Sequence, residues 1–260
     1  MCGRFALHAS PELIAEFLSL EEIEAFPPRY NIAPTQPILI AISGRDSRPD
    51  ANAANRSAQL ARWGLIPPWV KDASKFPLLI NARSETAATK NSFRAALKYR
   101  RCLIPATEFY EWRRSASGPS EPFLFRPKSG RPFAFAALME TAIDQDGGEI
   151  DTAAIITAAA TGAARKIHDR MPVTIEEAHF ERWLNCRDYA PGDVAGIFGA
   201  SQVPEFDIVP ISTAVNKVAN AGPSIQEPTS VPQRQSERND DGAGEAAGTG
   251  KGTGDQLTLL

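Results

Sequence analysis

The spacing of apolar residues predicts a few short helices. Ser10, Pro11 and Glu12 form a typical helix start, with an N-cap, a first-turn proline and an acid near the positive end of the dipole. The apolar positions that follow have helical spacing: Leu13, Ile14, Phe17 and Leu18. A second helix is predicted over residues 92–98.

Thr174 and Glu177 have the spacing of a capping box, which predicts a third helix opening at Thr174. Phe180, Trp183 and Leu184 would then face inward.

Strands outnumber helices in this pattern. The candidate strands are residues 36–42, 60–66, 78–83, 101–104, 108–112, 123–125, 133–138, 153–158 and 206–210. They are short, proline and glycine separate them, and no regular strand–helix alternation occurs. We therefore predict an α+β fold, a single domain built on an antiparallel, barrel-like sheet with a few short peripheral helices.

Composition divides the chain into a domain and a tail. The chain has 260 residues, of which 43% are hydrophobic and 23% charged, as is ordinary for a globular protein. Residues 1–222 are expected to form the domain. Residues 223–260 have linker composition, and we expect a disordered tail there. Residues 43–58 are expected to form a long surface loop.

Charge is unevenly distributed. The net charge is −3, and residues 223–260, with six acids and three bases, account for all of it. Residues 81–114 hold eight bases and three acids, a local excess suited to phosphates. The sequence has no apolar run of membrane-spanning length and no secretory signal, and it has three cysteines. We expect a cytoplasmic protein with reduced thiols and no membrane partner.

Cys2 is the first candidate for chemistry. Removal of Met1 would leave an α-amine and a thiol on one residue. Such an aminothiol condenses with an aldehyde to an imine, and its thiol can then close a five-membered thiazolidine. It can also act as an N-terminal nucleophile that cleaves amides.

Two further motifs carry polar groups on strands. Asn81 and Arg83 are two residues apart and so share one face, where an amide and a guanidinium suit phosphate or carboxylate recognition. Glu108 and Glu111 are three apart and should face opposite sides. One of them could be a buried acid–base group with a raised pKa.

His168, flanked by Asp169 and Arg170, is a candidate proton shuttle. Trp69 lies in a Pro- and Lys-containing loop and is a candidate stacking platform for a single strand. The spacing of Cys and His gives no metal motif, and no cofactor is implied.

Seven blocks occur in an order that resembles the SOS-response-associated peptidase (SRAP) family of abasic-site processing proteins. The blocks are MCGRF (1–5), RYNIAPT (29–35), WGLIP (63–67), INARSET (80–86), RCLIPA (101–106), FYEW (109–112) and IHDRMP (167–172). The resemblance implies a single α+β domain with a positively charged channel for single-stranded DNA. It also implies a thiazolidine crosslink to the aldehyde of an abasic site.

The resemblance also implies roles for individual residues. Cys2 would be the nucleophile, Asn81 would orient it, Glu111 would manage protons at the amine and imine, and His168 would act on the deoxyribose. Phosphates near the lesion would be held by Arg4, Asn31, Arg83 and Arg170, and Trp69 would wedge against a flanking base. Glu108 departs from the family, which usually has glycine there, and should face away from Glu111.

The last five residues suggest a partner. Gln256, Leu257, Leu259 and Leu260 belong to a QLTLL sequence similar to the peptide with which bacterial DNA enzymes bind the sliding clamp. A motif on a flexible tether suits docking in a preformed pocket.

Three functions stay open at this point. The first is a monomeric, nucleoid-associated enzyme that crosslinks to abasic sites, shields the strand from cleavage and has weak lyase activity through the imine. The second is an N-terminal-nucleophile peptidase or amidohydrolase acting on protein, and the family name implies such activity at least ahead of Cys2. The third is a non-catalytic module for single-stranded DNA in which Cys2 is incidental.

Overall fold

The computed structural model describes residues 2–44, 56–115, 118–143, 147–199 and 204–229. Its strands, in chain order, are β1 (Arg4–Leu7), β2 (Arg29–Ile32), β3 (Pro37–Ser43), β4 (Arg56–Trp63), β5 (Asn81–Arg83), β6 (Arg101–Ala106), β7 (Glu108–Arg113), β8 (Glu121–Pro127), β9 (Phe133–Ile143), β10 (Glu149–Ala159), β11 (Arg170–Pro172), β12 (Thr174–Ile175) and β13 (Phe206–Pro210). Its α-helices are α1 (Pro11–Leu18), α2 (Ser84–Ala87), α3 (Arg94–Tyr99), α4 (Phe180–Leu184) and α5 (Pro191–Gly199).

Strands β10, β4, β3, β6 and β9 close into a five-stranded barrel, because β9 pairs with both β6 and β10. Every residue of β6 is buried, and so are most residues of β9 and β10. Strands covered on both faces are expected to contain continuous apolar runs, and these strands do, at residues 102–106, 133–139 and 153–156. The predicted barrel-like α+β fold with short helices is confirmed. The sheet is mixed rather than purely antiparallel, since β10 pairs in parallel with β4 and β5.

A second sheet has the strand order β13–β8–β7–β1–β2. Aromatic contacts join it to the barrel. The Phe5 ring of β1 lies edge-on to Trp63 and Phe135, with ring centroids 5.2 and 5.7 Å apart. Phe109 of β7 contacts Phe135 as well, at 6.1 Å. These rings hold the start of β1, and therefore Cys2, against the barrel.

The nine predicted strands all overlap observed ones, but several bounds differ. The strand predicted at 60–66 is β4, which ends at Trp63 because Gly64 has a φ of +132°. The strand predicted at 78–83 is reduced to the three residues of β5. Strands β1, β2, β11 and β12 were not predicted. With two to four residues each, they are too short to show a periodic pattern of apolar and polar positions.

Helix α1 begins as predicted. The Ser10 hydroxyl accepts a hydrogen bond from the Leu13 backbone N–H at 3.3 Å, and Ile14, Phe17 and Leu18 are buried. Leu13, the first of the four apolar positions with helical spacing, is 42% exposed and does not join the other three in the core. The face of α1 that contacts the core is therefore narrower than the four positions predict.

The predicted capping box at Thr174 is wrong. Thr174 and Ile175 form β12 and pair with Phe135 and Ala134 of β9. Their backbone therefore belongs to a sheet, and α4 begins only at Phe180 after a 3₁₀ turn. The three apolar residues predicted to face inward are buried: Phe180, Trp183 and Leu184.

The chain stays folded beyond residue 222, where we expected a disordered tail to begin. Pro223–Gln226 is a 3₁₀ turn in which Ile225 and Gln226 are buried. The Gln226 amide donates to the Tyr110 hydroxyl at 2.9 Å, a long-range contact that turn-like composition does not reveal.

Two predicted segments fall largely outside the described residues. Residues 230–260, with the sequence at 256–260, are outside them, and so are residues 45–55 of the predicted surface loop. The ends of that predicted loop belong to β3 and β4. In the described part of the chain, every helix is too short or too polar to cross a membrane.

Candidate active site around Cys2

Two short strands bring predicted residues to one end of β10. Strand β5 lies along one edge of β10, with Arg83 opposite Thr157. Strand β11 lies along the other edge, with Pro172 opposite the same Thr157. Asn81 opens β5 and His168 precedes β11, so both approach the site from the two sides of β10.

Cys2 is fully buried and lies two residues before β1. Asn81 Nδ2 donates to the Cys2 carbonyl at 2.9 Å, and the thiol lies 3.9 Å from the Arg4 carbonyl. Burial raises the pKa of the Cys2 thiol well above its ordinary value, and the Glu111 carboxyl raises it further. The thiol is therefore neutral near pH 7 and needs a base before it can act as a nucleophile.

The other polar atom of the Asn81 side chain is its amide oxygen. Its Oδ1 is buried and has no hydrogen-bond partner within the described residues. A buried acceptor without a partner is costly in a protein interior. This oxygen is therefore suited to accept a hydrogen bond from a group that enters the site.

Glu111 is buried and lies on β7 near Cys2. Burial raises its pKa to about 7, and the Asp169 carboxylate adds to the shift. Near neutral pH both its protonated and its ionised forms are populated. A carboxyl in this state can both accept and donate a proton.

Glu108 faces the opposite side of β7, as strand alternation predicts. Its Oε2 lies 2.8 Å from His8 Nε2, and its Oε1 lies 3.5 Å from Arg126 Nε. Burial acts to raise the pKa of Glu108, but the His8 hydrogen bond and Arg126 hold it below its ordinary value. Glu111 is thus the carboxylate of β7 that serves the Cys2 site.

His168 is partly buried, and its Nδ1 has two close neighbours. The Arg170 backbone N–H donates to Nδ1 at 2.9 Å, and Asp169 Oδ1 lies 2.8 Å from the same atom. Burial lowers the pKa of His168, which favours the neutral imidazole at neutral pH.

Arg170 reaches from β11 across the end of β10. Its guanidinium pairs with both carboxylate oxygens of Glu85, one of them at 2.9 Å, and also donates to Thr157. The hydrogen bond from Arg170 lowers the pKa of Glu85 to about 2. This guanidinium is therefore engaged within the protein, and it ties β11 to the residues that follow β5.

Arg4 and Asn31 are also engaged internally. Asn31 is buried, and its Nδ2 donates to the carbonyls of Val215, Lys217 and Asn220. Its Oδ1 accepts from Arg4 Nη1 at 2.7 Å, and Arg4 donates to the Val215 carbonyl as well. Both side chains thus hold the backbone of residues 215–220, an arrangement that differs from the predicted direct phosphate contact by Asn31.

Arg83 and Trp69 are available to a ligand. The Arg83 side chain is exposed, and it has no ion pair among the residues the structure describes. Trp69 is 57% exposed, with its ring edge-on to Phe76 at 5.5 Å. Both side chains are accessible, and their roles as a phosphate contact and a stacking platform stay predictions.

Two acidic residues that contact the predicted site residues were assigned no role from the sequence. Asp169 contacts His168, and Glu85 holds Arg170. Their only sequence signal is their position inside the motifs at 167–172 and 80–86. Over the described ranges, no group of three or more His, Cys, Asp or Glu side chains is arranged to hold a metal ion.

Comparison with protein families gives one match over most of the chain. Residues 1–218 match the family described as SOS response associated peptidase (SRAP). The abasic site processing protein YoqW of Bacillus subtilis is 36% identical over 230 residues, which is 87% of this chain and 99% of that protein. The abasic site processing protein YedK of Escherichia coli is 31% identical over 239 residues, covering 88% and 100%.

Solved structures of similar fold include a Bacteroides thetaiotaomicron protein. It has a TM-score of 0.74 at 23% identity and covers 88% of this chain and 100% of its own. A phage-related protein from Bordetella bronchiseptica has a TM-score of 0.64 at 26% identity, covering 81% and 94%.

Proposed function

Since the chain belongs to the SOS response associated peptidase (SRAP) family, we propose that it processes abasic sites in single-stranded DNA by crosslinking to them through Cys2. The names of its relatives as abasic site processing proteins support the substrate. One structural observation supports the proposed reaction most directly. Buried Cys2 is held by Asn81 beside Glu111, a carboxyl whose pKa burial raises to about 7.

The proposed chemistry uses both nucleophiles of Cys2 after Met1 is removed. The α-amine adds to the aldehyde carbon of the ring-opened abasic site, and loss of one water gives an imine. The thiol sulfur then bonds to the imine carbon, and the thiol proton ends on the nitrogen. The product is a thiazolidine that joins protein and DNA and shields the strand from cleavage.

Glu111 moves the protons in this sequence. In its protonated form it helps the hydroxyl leave as water. In its ionised form it accepts the thiol proton, which buried Cys2 does not lose unaided. Glu111→Gln should slow crosslinking about 100-fold, at the lower end of typical acid–base contributions.

DNA contacts come from two groups of residues. Arg83 and Trp69 would contact a phosphate and a flanking base directly. Arg4, Asn31 and Arg170 would shape the channel through the internal contacts described above. His168 would act on the deoxyribose during ring opening. The imine would also permit weak lyase activity by β-elimination, which fast thiazolidine closure would suppress.

A denaturing gel tests the proposal. Wild type, Cys2→Ala and Cys186→Ala would each be mixed with single-stranded DNA that carries one abasic site, and with intact DNA. Cys186 is a free cysteine outside the site and serves as the matched control. A heat-stable slower band is expected with wild type and Cys186→Ala on abasic DNA alone. The same band with Cys2→Ala, or no band with wild type that lacks Met1, would contradict the proposal.

The family description favours a second candidate activity, cleavage of amides by Cys2 as an N-terminal nucleophile. It would include removal of residues ahead of Cys2. This reading predicts turnover of a peptide substrate without DNA, and it becomes the leading one if no crosslink forms.

We also propose that residues 256–260 bind the sliding clamp. The support is their sequence, QLTLL, in which the spacing of Gln256, Leu257 and the final leucines is that of a clamp-binding peptide. Deleting these five residues should abolish clamp binding in a pull-down and leave crosslinking unchanged. Clamp binding that survives the deletion would reject the idea.

A further inference from the structure

Nδ1 of His168 has two neighbours that require opposite proton states. The Arg170 backbone N–H donates to it at 2.9 Å, which requires a lone pair on Nδ1. Asp169 Oδ1 lies 2.8 Å away, and an ionised carboxylate accepts only if Nδ1 carries a proton. One nitrogen cannot serve both partners at the same time.

Whether Nδ1 carries a proton determines whether Nε2 can act as a base. A neutral imidazole carries a single proton. With Nδ1 accepting from Arg170, Nε2 holds that proton and has no lone pair for a substrate. With Nδ1–H bonded to Asp169, Nε2 has a lone pair and can act as a base.

We propose that Asp169 is a positioning residue that selects the Nδ1–H form of His168 and so makes Nε2 its proton-transfer atom. This rests on the proposed function, in which His168 opens the abasic deoxyribose. Nε2 takes the proton of the C1′ hydroxyl as the C1′–O4′ bond breaks and C1′ becomes an aldehyde. The imidazolium, with Nδ1–H on Asp169, then gives that proton to O4′. The step is an isomerisation and needs no other reactant.

Arg170 and Asp169 are the two motif residues that lie against Nδ1 of the ring. The Arg170 guanidinium is bound to Glu85 and Thr157, so Arg170 acts on the ring through its backbone N–H. The Arg114 guanidinium also acts on the ring and lowers the pKa of His168.

Exposure limits the size of the effect. The Asp169 side chain is 85% exposed, so water competes for its carboxylate. Replacing the buried aspartate of a serine-protease triad by asparagine gives the wrong tautomer and costs about 10⁴-fold. For exposed Asp169 we expect a loss nearer about 10-fold.

The test combines a spectrum with a rate. Asp169→Asn keeps the shape of the side chain, but its amide can donate to Nδ1 and favour Nε2–H. Long-range ¹⁵N–¹H correlation reports the proton on each ring nitrogen, with the His168 signal identified by its loss in His168→Gln. Crosslinking to abasic DNA is timed on the same samples. Asp169→Glu is the rescue variant, and Asp207→Asn, an exposed aspartate on β13, is the matched control.

The proposal predicts a shift toward Nε2–H and about 10-fold slower crosslinking in Asp169→Asn alone, with at least partial recovery in Asp169→Glu. Unchanged ring nitrogens in Asp169→Asn would overturn it, and so would shifted nitrogens with an unchanged rate. A wild type that forms no crosslink would overturn the proposed function instead, and the spectrum would still decide the tautomer.

Discussion

At the scale of single residues, the buried polar side chains are of two kinds. Asn31 satisfies its amide with three backbone carbonyls and an arginine, so its burial holds a segment in place. Glu111 is buried enough for its pKa to rise to about 7. Ionisable groups perturbed in this way are frequent at functional sites.

The Glu111 pKa makes a prediction about stability. An ordinary glutamate has a pKa of 4.5, so between that value and about 7 the folded state holds a proton that the unfolded state has lost. Stability should therefore fall as pH rises through this window. We expect the wild type to lose about 2 kcal/mol more than Glu111→Gln between about pH 5 and pH 8.

Urea unfolding of both proteins across this pH range measures the difference. The control is Glu177→Gln, which removes an exposed carboxyl group. Its free energy of unfolding should change with pH as that of the wild type does. Parallel curves for wild type and Glu111→Gln would mean that burial does not raise the Glu111 pKa.

At the scale of elements, the sequence predicts those helices and strands that a few neighbouring residues specify. The Ser10 cap and the apolar strands β6, β9 and β10 were predicted because a few neighbouring residues suffice to specify them. Strands β11 and β12 exist because partner strands lie beside them. The same pairing overrode the capping box at Thr174, since a backbone in a sheet cannot also start a helix.

The loop between β4 and β5 gives a test at this scale. Gly64 ends β4 with a φ of +132°, and a Cβ there would lie 2.5 Å from Leu78 Cδ1. Leu78 is 48% exposed and its side-chain end can move aside, so the cost comes from the backbone. Gly64→Ala should therefore destabilise the fold by about 1–3 kcal/mol through backbone strain. Gly192→Ala in α5 is the control, because a Cβ there meets nothing within 4 Å. Equal melting temperatures for the two variants would contradict this account of the loop.

At the scale of the whole molecule, the motifs could name residues but not their partners. Cys2, Asn81, Glu111 and His168 were all predicted from the sequence. The pairing of Arg170 with Glu85, and the use of Asn31 to hold residues 215–220, depend on contacts between distant segments. No local pattern encodes such contacts, so the internal use of these side chains could not be predicted.

Charge also acts at this scale, because single-stranded DNA binds through its phosphates. Exposed Arg83 is predicted to contact one phosphate. In the Cys2→Ala background, Arg83→Ala should weaken binding to intact single-stranded DNA and lower the slope of log affinity against log salt by about 0.7. Fluorescence anisotropy at several salt concentrations measures this. Lys128→Ala, whose lysine pairs with Glu205, is the control, and equal slopes for both variants would remove Arg83 from the interface.

The central claim is that the amine and the thiol of Cys2 together capture an abasic site. Mass spectrometry of the purified crosslink, made without reductant and digested with protease and nuclease, tests it most directly. We predict a peptide that begins at Cys2, carries the sugar remnant minus one water, and has a Cys2 thiol that resists alkylation. A linkage elsewhere, or a Cys2 thiol that alkylates freely, would contradict the claim.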